Sequence, residues 1–151
     1  MNKRRIGLVI FVVLAAAVVL LNRKDVILTS GGNFKLLKIT SEGYELQSVI
    51  RIQNPNWLSS TIKSVHENFY ISGKSVGEVN LELNQGIPGR KETSFPLSIR
   101  FTTADMVKIF VSDSTLPDKA LVSATGEIIF QNLSGGGKIT LDEKDSIGIQ
   151  P

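Results

Sequence analysis

The sequence predicts an all-β protein, a two-sheet antiparallel sandwich of about seven strands with one short helix, preceded by an N-terminal transmembrane or signal helix. Three observations predict it. Apolar residues recur at alternate positions through most of the chain beyond residue 33. Clusters of Gly, Asn, Ser and Pro separate those runs, and strands never alternate with helices, which argues against a parallel α/β sheet. The long uninterrupted apolar stretch lies at the N-terminus. At 151 residues the chain suits one domain plus an appendage: residues 1–25 as signal anchor or signal peptide, 26–33 as linker and 34–151 as the sandwich.

The N-terminal element comes first. Residues 6–21, opened by Ile6 and closed by Leu21, carry no charged or polar side chain over 16 positions. Lys3, Arg4 and Arg5 precede the run, and Arg23 and Lys24 follow it. As a helix it would extend about 24 Å, against a hydrocarbon layer of about 30 Å. That is short for a span, yet longer than the usual signal-peptide core. Flanking Lys and Arg reach the headgroups and make up missing length. Two readings stay open. Ala15-Ala16-Ala17 offers a small-residue cleavage site, whereas Val18 to Leu21 continues the apolar run past it and favours an uncleaved anchor. The basic residues before the run outnumber those after it, which places the N-terminus in the cytoplasm and the body in an extracytoplasmic space. Cleavage would make the body secreted.

The strands follow in order. Residues 36–40 form a short candidate. Tyr44, Leu46, Ser48, Ile50 and Ile52 share one face of the next, with Glu45, Gln47, Val49, Arg51 and Gln53 on the other. Residues 61–72 form a long strand with Val65, Phe69 and Ile71 on one face; Glu67 is out of place there, and either a bulge or a position near a sheet end would account for it. Val79, Leu81 and Leu83 define a further strand after Gly77. Phe95, Leu97, Ile99 and Phe101 alternate with Pro96, Ser98 and Arg100. Residues 103–110 read as the one helix, with Thr103 as N-cap and Leu116-Pro117 stopping it. Val122, Ala124, Ile128 and Phe130 then oppose Ser123, Thr125 and Glu127, and residues 139–141 close the set.

Composition excludes much chemistry. The chain has no Cys, hence no disulfide, thiolate nucleophile or Cys-bearing metal site, and its single His excludes a multi-His metal site within one chain. The net charge of +3 comes from 17 basic and 14 acidic residues, but five of the basic ones flank the apolar run. From Val26 onward 12 basic residues face 13 acidic ones, so the body carries no basic stripe and no nucleic-acid partner is expected.

At the end of the second strand stands Asn54-Pro55-Asn56-Trp57. Pro55 has no N–H for a ladder and Asn54 favours an Asx-turn, so pairing stops there. A long strand into Ser72-Gly73-Lys74 and on to Gly77, a loop with Ile87-Pro88-Gly89, the alternating strand from Glu92 to Ile99, and a later segment from Gly126 to Phe130 complete an ordered set. Over residues 34–148 this succession resembles the late embryogenesis abundant type 2 family, also called the water-stress and hypersensitive-response domain. The resemblance implies an immunoglobulin-like or fibronectin-III-like sandwich and stress-associated proteins without known catalytic residues. It marks Asn54, Pro55, Asn56, Gly73 and Gly77 as structural motif positions and implies no cofactor, metal or catalytic site.

Other signals have simpler explanations. Gly73-Lys74-Ser75 mimics the end of a phosphate-binding loop but has Asn68 where the motif needs glycine. As a general base His66 would need a nucleophile and an orienting acid, and its neighbour Glu67 cannot be that acid, because adjacent strand residues point to opposite faces. Asp142, Glu143 and Asp145 read as a solvated acidic strand rather than a calcium loop. Trp57 either plugs one end of the sandwich, the preferred reading, or forms an exposed contact, and Asn132-Leu133-Ser134 fits a glycosylation sequon. The functional expectation is a non-enzymatic sandwich bound to a lipid bilayer through residues from Lys3 to Lys24, serving desiccation or stress protection or envelope interaction. The alternatives are an adhesion or assembly module gripping a protein partner through strand edges or residues 87–90, and a lipid-binding sandwich.

Overall fold

The computed structural model describes residues 3–31, 34–40, 43–102, 104, 119–133 and 135–148. One helix, α1 (Lys3–Leu21), precedes eight strands: β1 (Ile27–Ser30), β2 (Lys35–Thr40), β3 (Gly43–Gln53), β4 (Ser60–Ile71), β5 (Lys74–Ile87), β6 (Glu92–Thr102), β7 (Lys119–Asn132) and β8 (Gly135–Gly148). The helix expected over residues 103–110 lies, Ala104 apart, outside the described residues.

The strands form two antiparallel four-stranded sheets. In the first, β6 pairs with β3 without interruption from Gly43↔Thr102 to Gln53↔Glu92. A strand has only two edges, so β1 and β2 must share the other one. They do so end to end: β1 lies against residues 51–53 of β3 and β2 against residues 43–47. β6 is thus an edge strand, the position where a proline such as Pro96 is tolerated. The second sheet runs β5-β4-β7-β8. The inward faces of β3, β6 and β7 are those the alternation predicts, with Leu46, Ile50, Ile52, Leu97, Val122, Ala124, Ile128 and Phe130 all buried.

Two expectations change. Residues 26–33, read as a linker, supply β1, and Val26 is buried in the core. The reason is nonlocal: Ile27 pairs with Gln53, a partner that no local pattern reveals. The second concerns the N-terminal element. A helix does form there, but among the described residues none is long and apolar enough to cross a membrane. The uncharged run is 16 residues, and the helix extends beyond it only by taking Lys3, Arg4 and Arg5 into its first turn.

The β4–β5 hairpin turns through Ser72 and Gly73, with φ of 49° and 79°, between Ile71 and its partner Lys74. Two consecutive positive φ values mark the turn whose twist matches a two-residue hairpin, and Asn-Gly fits it best. Ser72→Asn is therefore expected to raise stability by about 0.5 kcal/mol, read as a higher denaturation midpoint with unchanged slope.

Candidate functional site

Three structural clusters carry polar chemistry: the Asn-Pro-Asn end of the sandwich, a polar seam inside it, and the outer face around His66. The first is built where β3 stops. Asn54 N–H donates to the Lys91 carbonyl at 2.9 Å. Its side-chain amide donates to the carbonyls of Leu58 at 2.9 Å and Ile87 at 3.0 Å, while its Oδ1 accepts from Asn56 N–H at 3.0 Å. That last bond is the Asx-turn expected of Asn54.

Asn56 reaches across to the chain that leaves α1. Its Oδ1 accepts from Lys24 N–H at 3.0 Å and its Nδ2 donates to the Lys24 carbonyl at 2.7 Å, so one side-chain amide satisfies both backbone groups of one residue. Asn132 Nδ2 donates to the same carbonyl at 3.2 Å. Asn22 completes the clamp: its Nδ2 caps the Val18 carbonyl at 2.6 Å and its Oδ1 accepts from Leu58 N–H at 2.6 Å. Helix C-termini leave carbonyls without intrahelical donors, and Asn22 supplies one from its side chain. Asn22, Asn54 and Asn56 are all buried. Gly89 is required beside them, because a Cβ there would overlap the Trp57 carbonyl oxygen.

Of the two readings of Trp57, the exposed contact holds and the plug does not. It is 60% exposed, and the Arg90 guanidinium lies 4.7 Å from its ring centroid. The asparagines close this end instead, because they bring their own hydrogen-bond partners and an indole at this position has room outside. Leu58 and Leu133 are also exposed, as are Arg23, Lys24, Asp25, Arg90 and Lys91.

The seam lies between the two apolar clusters that make up the core. Leu46, Phe69, Ala124 and Ile147 belong to one; Ile50, Val65, Ile128 and Leu141 belong to the other. On four of the strands a polar residue or glycine falls at the boundary: Ser48 on β3, Glu67 on β4, Gly126 on β7 and Glu143 on β8. Both expected explanations of Glu67 fail. A bulge exists, but at Lys63, where pairing passes from Ile62 directly to Ser64 on both neighbouring strands. It switches the buried phase from Ile62 to Val65, and Glu67 then follows inward in the middle of the strand, opposite Gly126. A Cβ at residue 126 would overlap the His66 carbonyl oxygen, so glycine holds β7 close there.

Glu67 is fully buried, and neither of its carboxyl oxygens finds a hydrogen-bond partner among the described residues. Burial pushes this carboxyl up from an ordinary 4.5 to about 8, and the nearby Glu143 charge adds to the rise. Glu67 is consequently a neutral acid at pH 7. Glu143, expected to be solvated with Asp142 and Asp145, is buried too, whereas Asp142 stays outside near Lys144 at 3.8 Å. Strand alternation puts Asp142 on the face opposite Glu143 and Asp145, of which only Glu143 is buried, and no group of three potential metal ligands exists among the described residues.

His66 lies on the opposite, outer face. Its Nδ1 bonds Asn80 Oδ1, and Asn68 Nδ2 approaches its Nε2 at 3.2 Å. Gly73 is in the hairpin turn, not at a helix start, and Gly77 packs where a Cβ would lie 2.7 Å from Ile99 Cδ1. Pro55 is half-buried between the two asparagines. The backbones of Lys3, Arg4, Arg5 and Ile6 lie in α1, which ends at exposed Leu21. Of the anchor positions, Lys24 alone has its backbone bonded to the Asn-Pro-Asn motif. Sequence reasoning missed Asn22, although an asparagine just after an apolar helix is a recognisable C-terminal signal.

A family model described as late embryogenesis abundant protein matches residues 49–145. No curated protein sequence matches the chain. Among solved structures, a crystal structure from Archaeoglobus fulgidus is similar at a TM-score of 0.62 and 10% identity, covering 83% of this chain and 99% of that one. A solution structure from Arabidopsis thaliana gives 0.65 and 12%, covering 83% and 85%. A solution structure of a protein assigned to the late embryogenesis abundant group gives 0.62 and 10%, covering 83% and 70%. At such identities these likenesses carry the fold alone.

Proposed function

The chain belongs to the late embryogenesis abundant family, type 2, and from that premise we propose that it is a non-enzymatic β-sandwich tethered to a lipid bilayer by α1. The observation that carries the tether is the surface of that helix. Between residues 10 and 21 every side chain except Ala17 is exposed, and all are apolar. A helix packed on a core hides one stripe, and a helix lying on a membrane surface has one polar face. Residues 10–21 show neither, so this stretch suits insertion into lipid. The helix's uncharged run falls a few ångströms short of the hydrocarbon thickness, which Arg23 and Lys24 offset by snorkelling while the bilayer thins locally.

The sandwich then stands on the extracytoplasmic side and presents a folded surface next to the membrane, in the stress-protective role the family implies. The strand order, with β1 and β2 jointly flanking β3 and then β6, facing β5-β4-β7-β8, supports an immunoglobulin-like or fibronectin-III-like arrangement. Full-length protein is expected to float with vesicles on a density gradient and to resist alkaline extraction. Leu14→Lys should move most of it to the soluble fraction, since a central lysine is costly in hydrocarbon. Added protease should remove the body only from the extracytoplasmic side. Wild-type protein staying at the bottom of the gradient would refute the tether.

A further inference from the structure

We infer that the Asn-Pro-Asn end of the sandwich rests on the phospholipid headgroup layer and favours anionic lipid. The inference rests on the tether reading and adds the orientation of the body. Three observations converge. First, the end is joined to the helix by hydrogen bonds rather than by a loose linker: Asn22 in the turn after α1 binds Leu58, and Lys24 binds Asn56. A tether held this way fixes which end of the sandwich meets the bilayer.

Second, that end exposes Trp57, Leu58 and Leu133, although the same loops bury three asparagines. Indole and leucine next to an inserted helix match the interfacial zone, where Trp is enriched because its ring is partly apolar and its N–H remains wet. Third, the exposed charges here are mainly cationic. Arg23, Lys24, Arg90 and Lys91 face two acids, Asp25 and Glu92, and Glu92 accepts a hydrogen bond from Thr29 Oγ1 at 2.6 Å. The body as a whole is close to neutral, so this local excess of positive charge complements an anionic leaflet. Arg90 stacked on Trp57 combines the two chemistries in one contact.

The chain has a single tryptophan, so Trp57 is its own probe. Full-length protein would be reconstituted into vesicles of phosphatidylcholine with phosphatidylglycerol, and Trp57 emission quenched by nitroxide placed on the headgroup, by nitroxide deep in the acyl chain, or by aqueous acrylamide. Headgroup nitroxide is expected to quench at least twofold more strongly than deep nitroxide. Arg90→Glu combined with Lys91→Glu should raise acrylamide quenching about twofold, with flotation and circular dichroism unchanged. Protein that floats while Trp57 stays open to acrylamide and untouched by headgroup nitroxide would overturn this inference and leave the tether standing. Equal acrylamide quenching in the charge-reversed and wild-type proteins would overturn the preference for anionic lipid. Protein that does not float would overturn both readings.

Discussion

Glu67→Gln is expected to stabilise the folded chain at neutral pH and to remove most of a pH dependence that the wild type should show. Unfolded, this carboxyl titrates at its ordinary value near 4.5; folded, it titrates near 8. Between those values the native state holds a proton that the unfolded state has released. Stability therefore falls as pH rises, by slightly more than ~1 kcal/mol per pH unit, and levels off once both states are ionised. The contribution is fully present below pH 4.5 and is lost as pH passes through about 8. Glutamine has nearly the shape of the neutral acid and does not titrate. The two proteins should thus be similar at pH 4, with the variant ahead by about 3 kcal/mol at pH 7. Denaturant titrations followed by far-UV circular dichroism at pH 4 to 8 would measure the difference curve. Burial is the larger cause of the shift and the Glu143 charge the smaller, so Glu143→Gln should flatten the curve only in part. Parallel curves for wild type and Glu67→Gln would mean that Glu67 is not held neutral.

The same residue marks a limit of sequence reading. Alternation located the buried faces of β3, β6 and β7 because their inward positions are almost all aliphatic or aromatic, and such faces need only local information. The rule failed at Glu67 and Glu143, where the inward residue is charged by type, since binary patterning assigns charge to solvent. It located β5 from Val79, Leu81 and Leu83 but not its full extent, which runs from Lys74 to Ile87. That strand is an edge, with Glu78, Asn80, Glu82 and Asn84 exposed, so little of it needs to be apolar. β1 escaped because four residues before a glycine resemble a spacer until β3 is in place to pair with them. At the Asn-Pro-Asn end the motif itself was legible as a strand stop. Its second task, by which Asn56 holds the chain just beyond the helix, depends on Lys24 lying 32 positions away in sequence, and no local pattern carries that.

The hydrogen bonds that Asn54 makes within this end make Asn54→Ala the more damaging of two neighbouring substitutions, although Trp57 is the larger side chain. Asn54 donates to two carbonyls and accepts from one N–H in a fully buried position. Alanine would leave Leu58 O, Ile87 O and the Asn56 N–H without that partner, and each orphaned buried group costs roughly 1–3 kcal/mol. With some relief from solvent near Leu58, a net loss of about 3 kcal/mol is expected. Asn54→Asp should not rescue it, because a carboxylate cannot donate to the two carbonyls and would repel them. Trp57→Ala removes a mostly exposed ring and its stacking with Arg90, which should cost under about 1 kcal/mol. Denaturation of the full-length protein in detergent would order the variants. Hydrogen exchange would show the consequence for the helix junction, since the Lys24 and Leu58 amides bond Asn56 and Asn22 in the same network. In Asn54→Ala both amides should exchange at least tenfold faster, while central β4 amides keep protection scaled only to the lost global stability. If Trp57→Ala proved the costlier change, the asparagines would not be what closes this end of the sandwich.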